Sequence, residues 1–415
     1  MNMNFFLFSS TVPAERLSWI EESLKFFFVQ LFPETLTHQK TTGSPVFVFF
    51  LTGDALYSLT DPETLPLWNV ILSFPPVRII CDRHELDLRG ISTVPLKMRF
   101  PDQLVDTNTA GSGGRQDFWR DLAAETRQTK SPLPGTAGWL QTASPYMNRS
   151  AWYAIRFLSA ATDERLSTEL YAYLDGIHMG HHGQNPPEGE NVGRGLAAQN
   201  GHAVSAGLTF TALGCNRSAA ARGYSTWDDG KGQVISTCTE RVFRIRDISR
   251  LAGSFRGAHP ILSADSGAFS ILRQDTGNSY DRAEKASTAP PVTLLVTHSP
   301  YSTGFAAGAV ELAVACAHAG ILTRVIFVED GVWALAGNHR IPDKAETCSI
   351  PRLINAVAGN TNLHFFAFTP SFQKRGIQKD KSLAAVLDIG YPGLGKILFF
   401  PPGNVHAEHQ RVWVF

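Results

Sequence analysis

The chain predicts an α/β protein made of three successive βαβ units, each a mainly parallel sheet flanked by helices. Three observations carry this. Short uncharged runs such as Val46-Phe-Val-Phe-Phe-Leu51 and Val292-Thr-Leu-Leu-Val-Thr297 alternate with stretches of helical periodicity. Two polar stretches interrupt the alternation, and after each it starts again. One set of turn residues also recurs. Ser-Pro-Tyr stands at 144–146 and 299–301, Asp175 and Asp330 each follow the proline by 30 positions, and Arg222 and Arg375 come 47 and 45 positions after those aspartates. The repeat is far longer than a solenoid repeat, so the copies are domains.

At 415 residues the chain is too long for one ordinary core. Lys+Arg and Asp+Glu both number 37, and no basic cluster stands out, so no direct nucleic-acid partner is expected. The N-terminal Met1-Asn-Met-Asn-Phe-Phe-Leu-Phe8 has an apolar run without a basic lead and reads as a first strand, not a signal peptide. No apolar run reaches membrane-spanning length, and no membrane partner is expected. The five cysteines (81, 215, 238, 316 and 348) are scattered with no CxxC pair, which fits a reducing cytoplasm without a disulfide framework.

The first unit, 1–106, opens with a strand over Asn2–Ser9. Pro13-Ala14-Glu15 starts an amphipathic helix running to about Leu31, with Leu17, Ile20, Leu24, Phe27 and Phe28 on its apolar face. A strand over 46–51 ends in Gly53-Asp54, a helical stretch covers 65–72, and a strand covers Val77–Cys81. Here Asp54 follows Pro13 by 41 positions and Arg89 follows Asp54 by 35, a looser copy of the same spacing. Residues 107–134 read as a linker around a short helical piece, Asp117–Thr126. The second unit, 135–272, has strands over Gly138–Ala143, Ser167–Leu174 and 208–215. Its helices cover Ser150–Leu158 and Gly193–Gly201, and one further short element covers Arg241–Leu251. After a second linker, 273–290, the third unit, 291–415, has strands at 292–297, 322–328, 363–368 and 411–415, with helices at 305–319 and 351–357.

Cys215 lies where a buried strand, Leu208-Thr-Phe-Thr-Ala-Leu-Gly, meets a short small-residue helix closed by Gly223. Ligands bind at that end of a strand in open α/β sheets, and unpaired N–H groups and the helix dipole there favour an anion. For a cysteine the anion is the reactive thiolate, and Arg217 and Arg222 add positive charge nearby; the alternative on local sequence is a small buried hydrophobe. Cys81 also follows an apolar strand, but the neighbouring Asp82 raises a thiol pKa. Cys238, Cys316 and Cys348 have no such setting. His178, His181 and His182 match no standard ligand set, and no metal is expected. Their loop can instead lie over Cys215, where a His178 imidazolium would hold a thiolate. Asp175-Gly176 and Asp330-Gly331 read as turn chemistry, the aspartate bonding local backbone and the glycine supplying positive φ.

Taken together, these residues resemble the DsrE/DsrF-like sulfur-relay proteins, whose small α/β subunits form the DsrEFH and TusBCD complexes. Ser144-Pro145-Tyr146, Asp175-Gly176 and Cys215 with Gly223 eight positions later make the second unit similar to the DsrE/TusD subunit. Ser299-Pro300-Tyr301, Val325-Ile-Phe-Val-Glu-Asp330-Gly331-Val-Trp, Lys374-Arg375-Gly376 and the Arg411-Val-Trp-Val-Phe end make the third similar to DsrF/TusC, with Phe368-Thr369 where a cysteine would be expected. The first is a diverged DsrE/DsrH-like unit, in which Cys81 resembles the DsrE cysteine with a one-residue slip. The resemblance implies flavodoxin-like units of the DsrE-like type and no cofactor. It implies a sulfurtransferase or carrier that holds sulfane sulfur as a persulfide on Cys215, with Cys81 as a second thiol and Arg217, Arg222, Asp175 and His178 in support. Donor and acceptor proteins of the TusA, TusE, DsrC or rhodanese kind and a homodimer of three-unit chains follow from it, in sulfur oxidation or tRNA thiolation. The alternative is a non-catalytic scaffold or small-molecule binder on the same fold.

Overall fold

The three alternating stretches share a core order of elements, strand, helix, strand, 3-10 turn, helix, strand, short helix, strand and helix, with additions in the first and second. The computed structural model describes residues 4–31, 47–107, 117–127, 135–186, 190–224, 227–228, 234–236, 238–270, 289–337, 349–399, 407 and 409–415. The first unit contains β1 (Asn4–Phe8), α1 (Ala14–Lys25) continued by a π-helical segment (Phe26–Leu31), β2 (Phe47–Leu51), a 3-10 turn (Gly53–Leu59) and α2 (Leu65–Leu72). It goes on through β3 (Val77–Asp82), α3 (Arg83–Arg89), α4 (Val94–Arg99), β4 (Leu104–Thr107) and α5 (Phe118–Thr126). The second contains β5 (Thr136–Gln141), α6 (Ser150–Asp163), β6 (Ser167–Ala172), a 3-10 turn (Leu174–Gly180), α7 (Val192–Ser205), β7 (Phe210–Cys215) and α8 (Asn216–Ala221). The short strands β8 (Trp227–Asp228) and β9 (Val234–Ile235) follow, then β10 (Phe243–Arg246), α9 (Ile248–Ser254), β11 (Ile261–Ser263) and β12 (Ser266–Ser270). The third contains β13 (Val292–Val296), α10 (Phe305–His318), β14 (Thr323–Phe327), a 3-10 turn (Glu329–Leu335), α11 (Ile350–Val357), β15 (Leu363–Phe368), α12 (Thr369–Arg375), β16 (Val386–Ile389), α13 (Tyr391–Phe399) and β17 (His409–Val414).

The strands form two sheets rather than one per unit. The middle unit builds β11-β5-β6-β7-β10-β9-β8, with its first five strands parallel. The first and third units share a ten-stranded sheet, β16-β15-β14-β13-β17-β12-β1-β2-β3-β4. β12 is the join. It leaves the middle unit through a bend at Ser263–Ser266 and runs antiparallel to both β1 and β17, with Ala268 opposite Phe5 on one side and Arg411 on the other. Counted within a unit, the strand order of the second and third units is 5-1-2-3-4, which corrects the flavodoxin-like order 2-1-3-4-5. Successive crossovers step the first four strands the same way, and only the last connection returns past the first strand. Most strands are buried on both faces, which is why they read as continuous apolar runs without alternation.

The stretch 107–134 is more than a linker. Inside it, Asp117 caps α5 by accepting from Trp119 N at 3.1 Å, and α5 buries Phe118, Trp119 and Leu122. Phe118 meets Phe50 edge-on with ring centroids 5.7 Å apart, and Trp119 stacks on Tyr153 at 5.4 Å. α5 is the counterpart of α9 and α13, the helices that follow the fourth strand of the other units. All three make the same kind of contact: α5 packs on α6, α9 on α10, and α13 on α1. The units therefore close in a cycle, each resting on the first helix of the next.

Polar groups pin these seams. Arg16 on α1 meets Glu329 of the third unit with two contacts of 3.0 Å. The buried Arg411 donates to the carbonyls of Phe255, Gly257 and His259, and Trp413 Nε1 donates to Ile261 O at 2.8 Å, tying β17 to the middle unit. No helix among the described residues is long and apolar enough to cross a membrane.

Candidate functional site

The strand ends of the three units are built alike. The residue entering each 3-10 turn has a left-handed backbone: Gly53 at φ 57°, Leu174 at φ 51° and Glu329 at φ 51°. An aspartate follows and pairs with the arginine that ends the short helix. Asp54 meets Arg89 at 3.0 Å, Asp175 meets Arg222 at 2.6 Å, and Asp330 meets Arg375 at 2.8 Å. Those sequence spacings of 35, 47 and 45 thus mark one repeated ion pair. This replaces the local turn role for the aspartates. Gly176 and Gly331 do not adopt positive φ either; the strained residue precedes the aspartate. They are glycine because a Cβ would lie 2.0 Å from Gln141 O and 1.9 Å from Val296 O.

Seven positions before each arginine, one residue ends the third strand and caps the short helix: Asp82, Cys215 and Phe368. The counterpart of Cys215 is therefore Asp82, and the one-residue slip that would equate it with Cys81 is absent. Cys81 lies one position earlier, within the apolar core of the ten-stranded sheet. Burial pushes its thiol well up, and Asp106 and Asp82 push it further. Cys316 lies buried on α10, its thiol pushed up to about 12 by burial. Cys238 is half-buried, and Cys348 lies outside the described residues.

At the Asp82 position the backbone of the short helix holds a carboxyl group, whose pKa burial raises. It accepts from His84 N at 3.1 Å and Glu85 N at 3.4 Å, and Thr52 Oγ1 donates to it at 2.9 Å. Cys215 has nearly the same backbone, φ −72° and ψ 125° against −71° and 104°. Tyr173 takes the place of Thr52. Burial first, then Glu311 and Cys215, raises its phenol well above the usual range, and its hydroxyl donates to Gly308 O at 3.0 Å.

Cys215 is fully buried at the seam between the second and third units. Gly308 on α10 permits this closure, since a Cβ there would meet Leu174 at 2.8 Å. Both arginines expected to favour a thiolate are already paired, Arg222 with Asp175 and the exposed Arg217 with Glu311 at 3.5 Å. Each carboxylate offsets part of the field its arginine would project onto the sulfur. A further cation escaped the sequence reading. Arg246 on β10 is the register partner of Cys215 on parallel β7, so both side chains leave the same face of the sheet.

The surroundings of His178 disfavour the imidazolium form. Its Nδ1 lies 2.9 Å from the Tyr224 hydroxyl, and burial, then Arg222, lowers its pKa. His181 packs edge-on against Tyr224, whereas His182 engages Cys238 O through its backbone N–H at 2.7 Å. Among the described residues no cluster of three or more His, Cys, Asp or Glu side chains is arranged to hold a metal. No family model and no curated protein matches the chain.

Proposed function

We propose that the chain is a sulfur carrier or sulfurtransferase made of three DsrE-like units, with Cys215 as the persulfide site. The observation that carries this reading is the placement of Cys215 as strand-end cap, where the corresponding residue of the first unit is a carboxyl group bonded by two backbone N–H groups. A thiolate or persulfide anion suits the same position. The Cys215 thiolate attacks the sulfane sulfur of a donor persulfide. An S–S bond to Cys215 forms as the donor's S–S bond breaks, and the donor leaves as a thiolate. Attack by an acceptor thiolate on the outer sulfur reverses the balance and frees Cys215. Because Cys215 is buried, loading requires α10 and the Leu174 turn to part at the seam. The first and third units serve as scaffold, since Asp82 and Phe368 stand where they would need a cysteine. Donor and acceptor are proteins of the sulfur-relay kind, in sulfur oxidation or tRNA thiolation, and the assembly is a cytoplasmic homodimer.

The full burial of Cys215 and the pairing of Arg217 and Arg222 favour a second reading, a non-catalytic scaffold on the same fold. Incubation with a sulfane-sulfur donor, read by intact mass, separates the two. Gain of one sulfur atom by the wild type but not by Cys215→Ser, reversed by reductant, supports the carrier. Absence of gain in the wild type supports the scaffold.

A further inference from the structure

We infer that the middle unit holds a second site, for a small phosphorylated ligand, at the opposite end of β7 from Cys215. A cleft of about 310 Å³ opens beside the first residues of β7 and β10. Arg241 and Arg244 line it, together with Asn200 from α7 and Thr211, while Phe210 and Val242 supply apolar wall. Among the described residues no carboxylate lines it. Neither arginine makes an ion pair among the described residues, although other arginines of the middle unit do. Arg149 reaches Glu85, Arg217 reaches Glu311, Arg222 reaches Asp175, and Arg250 reaches Asp247. Two exposed guanidiniums sharing one cleft repel each other, and an anion between them removes that repulsion.

The chemistry of the lining selects the anion. Two planar guanidinium forks match the several oxygens and double charge of a phosphate monoester better than the two oxygens of one carboxylate. The Asn200 amide and Thr211 hydroxyl add neutral donors. Phe210 and Val242 offer a surface for a short carbon skeleton. The volume lies at the small end of ligand clefts and suits a compact metabolite rather than a dinucleotide. β7 runs five residue steps from Phe210 to Cys215, roughly 16 Å of extended chain. The site is therefore separate from the thiol and does not rest on the sulfur-carrier reading.

The test is calorimetric titration of the full chain with glycerol phosphate at constant ionic strength, with succinate as the carboxylate probe. Wild type, Arg241→Gln, Arg244→Gln, Arg256→Gln and Cys215→Ser are compared, with circular dichroism checking that each folds. Expected is saturable glycerol-phosphate binding, weakened about tenfold or more by either cleft substitution and unchanged in Arg256→Gln and Cys215→Ser. Absence of saturable binding, or equal binding in folded Arg241→Gln and Arg244→Gln, overturns the site. Succinate binding as tight as that of the monoester overturns the phosphate assignment.

Discussion

Removing Arg16 is expected to be among the most damaging single changes at a unit seam. Arg16 and Glu329 are 6% and 9% exposed, and their two contacts are both 3.0 Å. Burial alone would lower the Arg16 pKa, but Glu329, with help from Asp265, more than reverses this and leaves it raised. Arg16→Met keeps the apolar stem and removes the charge. It strands Glu329 with Trp19 Nε1 at 3.5 Å and the Ser371 hydroxyl on its backbone N–H. An uncompensated buried carboxylate costs about 3–5 kcal/mol. Urea unfolding followed in parallel by tryptophan fluorescence and circular dichroism measures this, since a chain of several units need not unfold in one step. Adding Glu329→Gln removes the stranded charge and is expected to restore a large part of the loss. A cost below about 1 kcal/mol, the range of an exposed pair, would refute the reasoning. So would a second substitution that adds to the first instead of relieving it.

Asp121, in the first turn of α5, has its pKa raised to about 6 by burial, then by Asp117, Glu125 and Glu164. The folded chain thus binds this proton more tightly than the unfolded one. Its contribution is full below about pH 4 and is lost as pH rises through about 6. Asp121→Asn is expected to raise the melting temperature at pH 7 and to leave it unchanged at pH 4, which thermal melts at the two pH values check. Gly176→Ala drives a Cβ into Gln141 O and is expected to cost about 3 kcal/mol or more, seen as loss of soluble protein or a lower melting temperature. Ala55 occupies the matching place in the first unit, so Ala55→Gly there is expected to cost only about 0.5–1 kcal/mol.

Much of this molecule was legible in its residues because the strands are buried on both faces. Phe47–Leu51, Val292–Val296 and Leu363–Phe368 fall within a residue or so of the apolar runs that announce them. The recurring Asp and Arg spacings led to three real ion pairs. β11, β12 and β16 are too short or too polar to stand out, β10 and α9 read together as one short element, and α5 lay within a segment whose flanks read as linker. Pairing is non-local, and nothing in Ser266–Ser270 tells that it will leave its own unit and join the other two. At the site, Cys215 was found as the strand-end residue. Its local sequence suits a reactive or a buried thiol and could not decide its full burial, because much of the apolar cluster it joins comes from the third unit. Arg246 was hidden because strand register is not written locally. Cys81 misled by its place after an apolar strand; only alignment of the three caps shows that Asp82 is the matching residue.

The central claim is that sulfur held at Cys215 leaves again to an acceptor. The direct measurement is transfer from sulfur-loaded protein to a small-molecule thiol, with the mass of both followed under native conditions. The account predicts that the protein loses the mass of one sulfur atom as the acceptor gains it as a persulfide. Cys81→Ser is expected to behave as wild type, and Cys215→Ser to carry nothing to transfer. Sulfur that stays on the native protein and is released only on unfolding would contradict the account, and would make Cys215 a buried structural thiol.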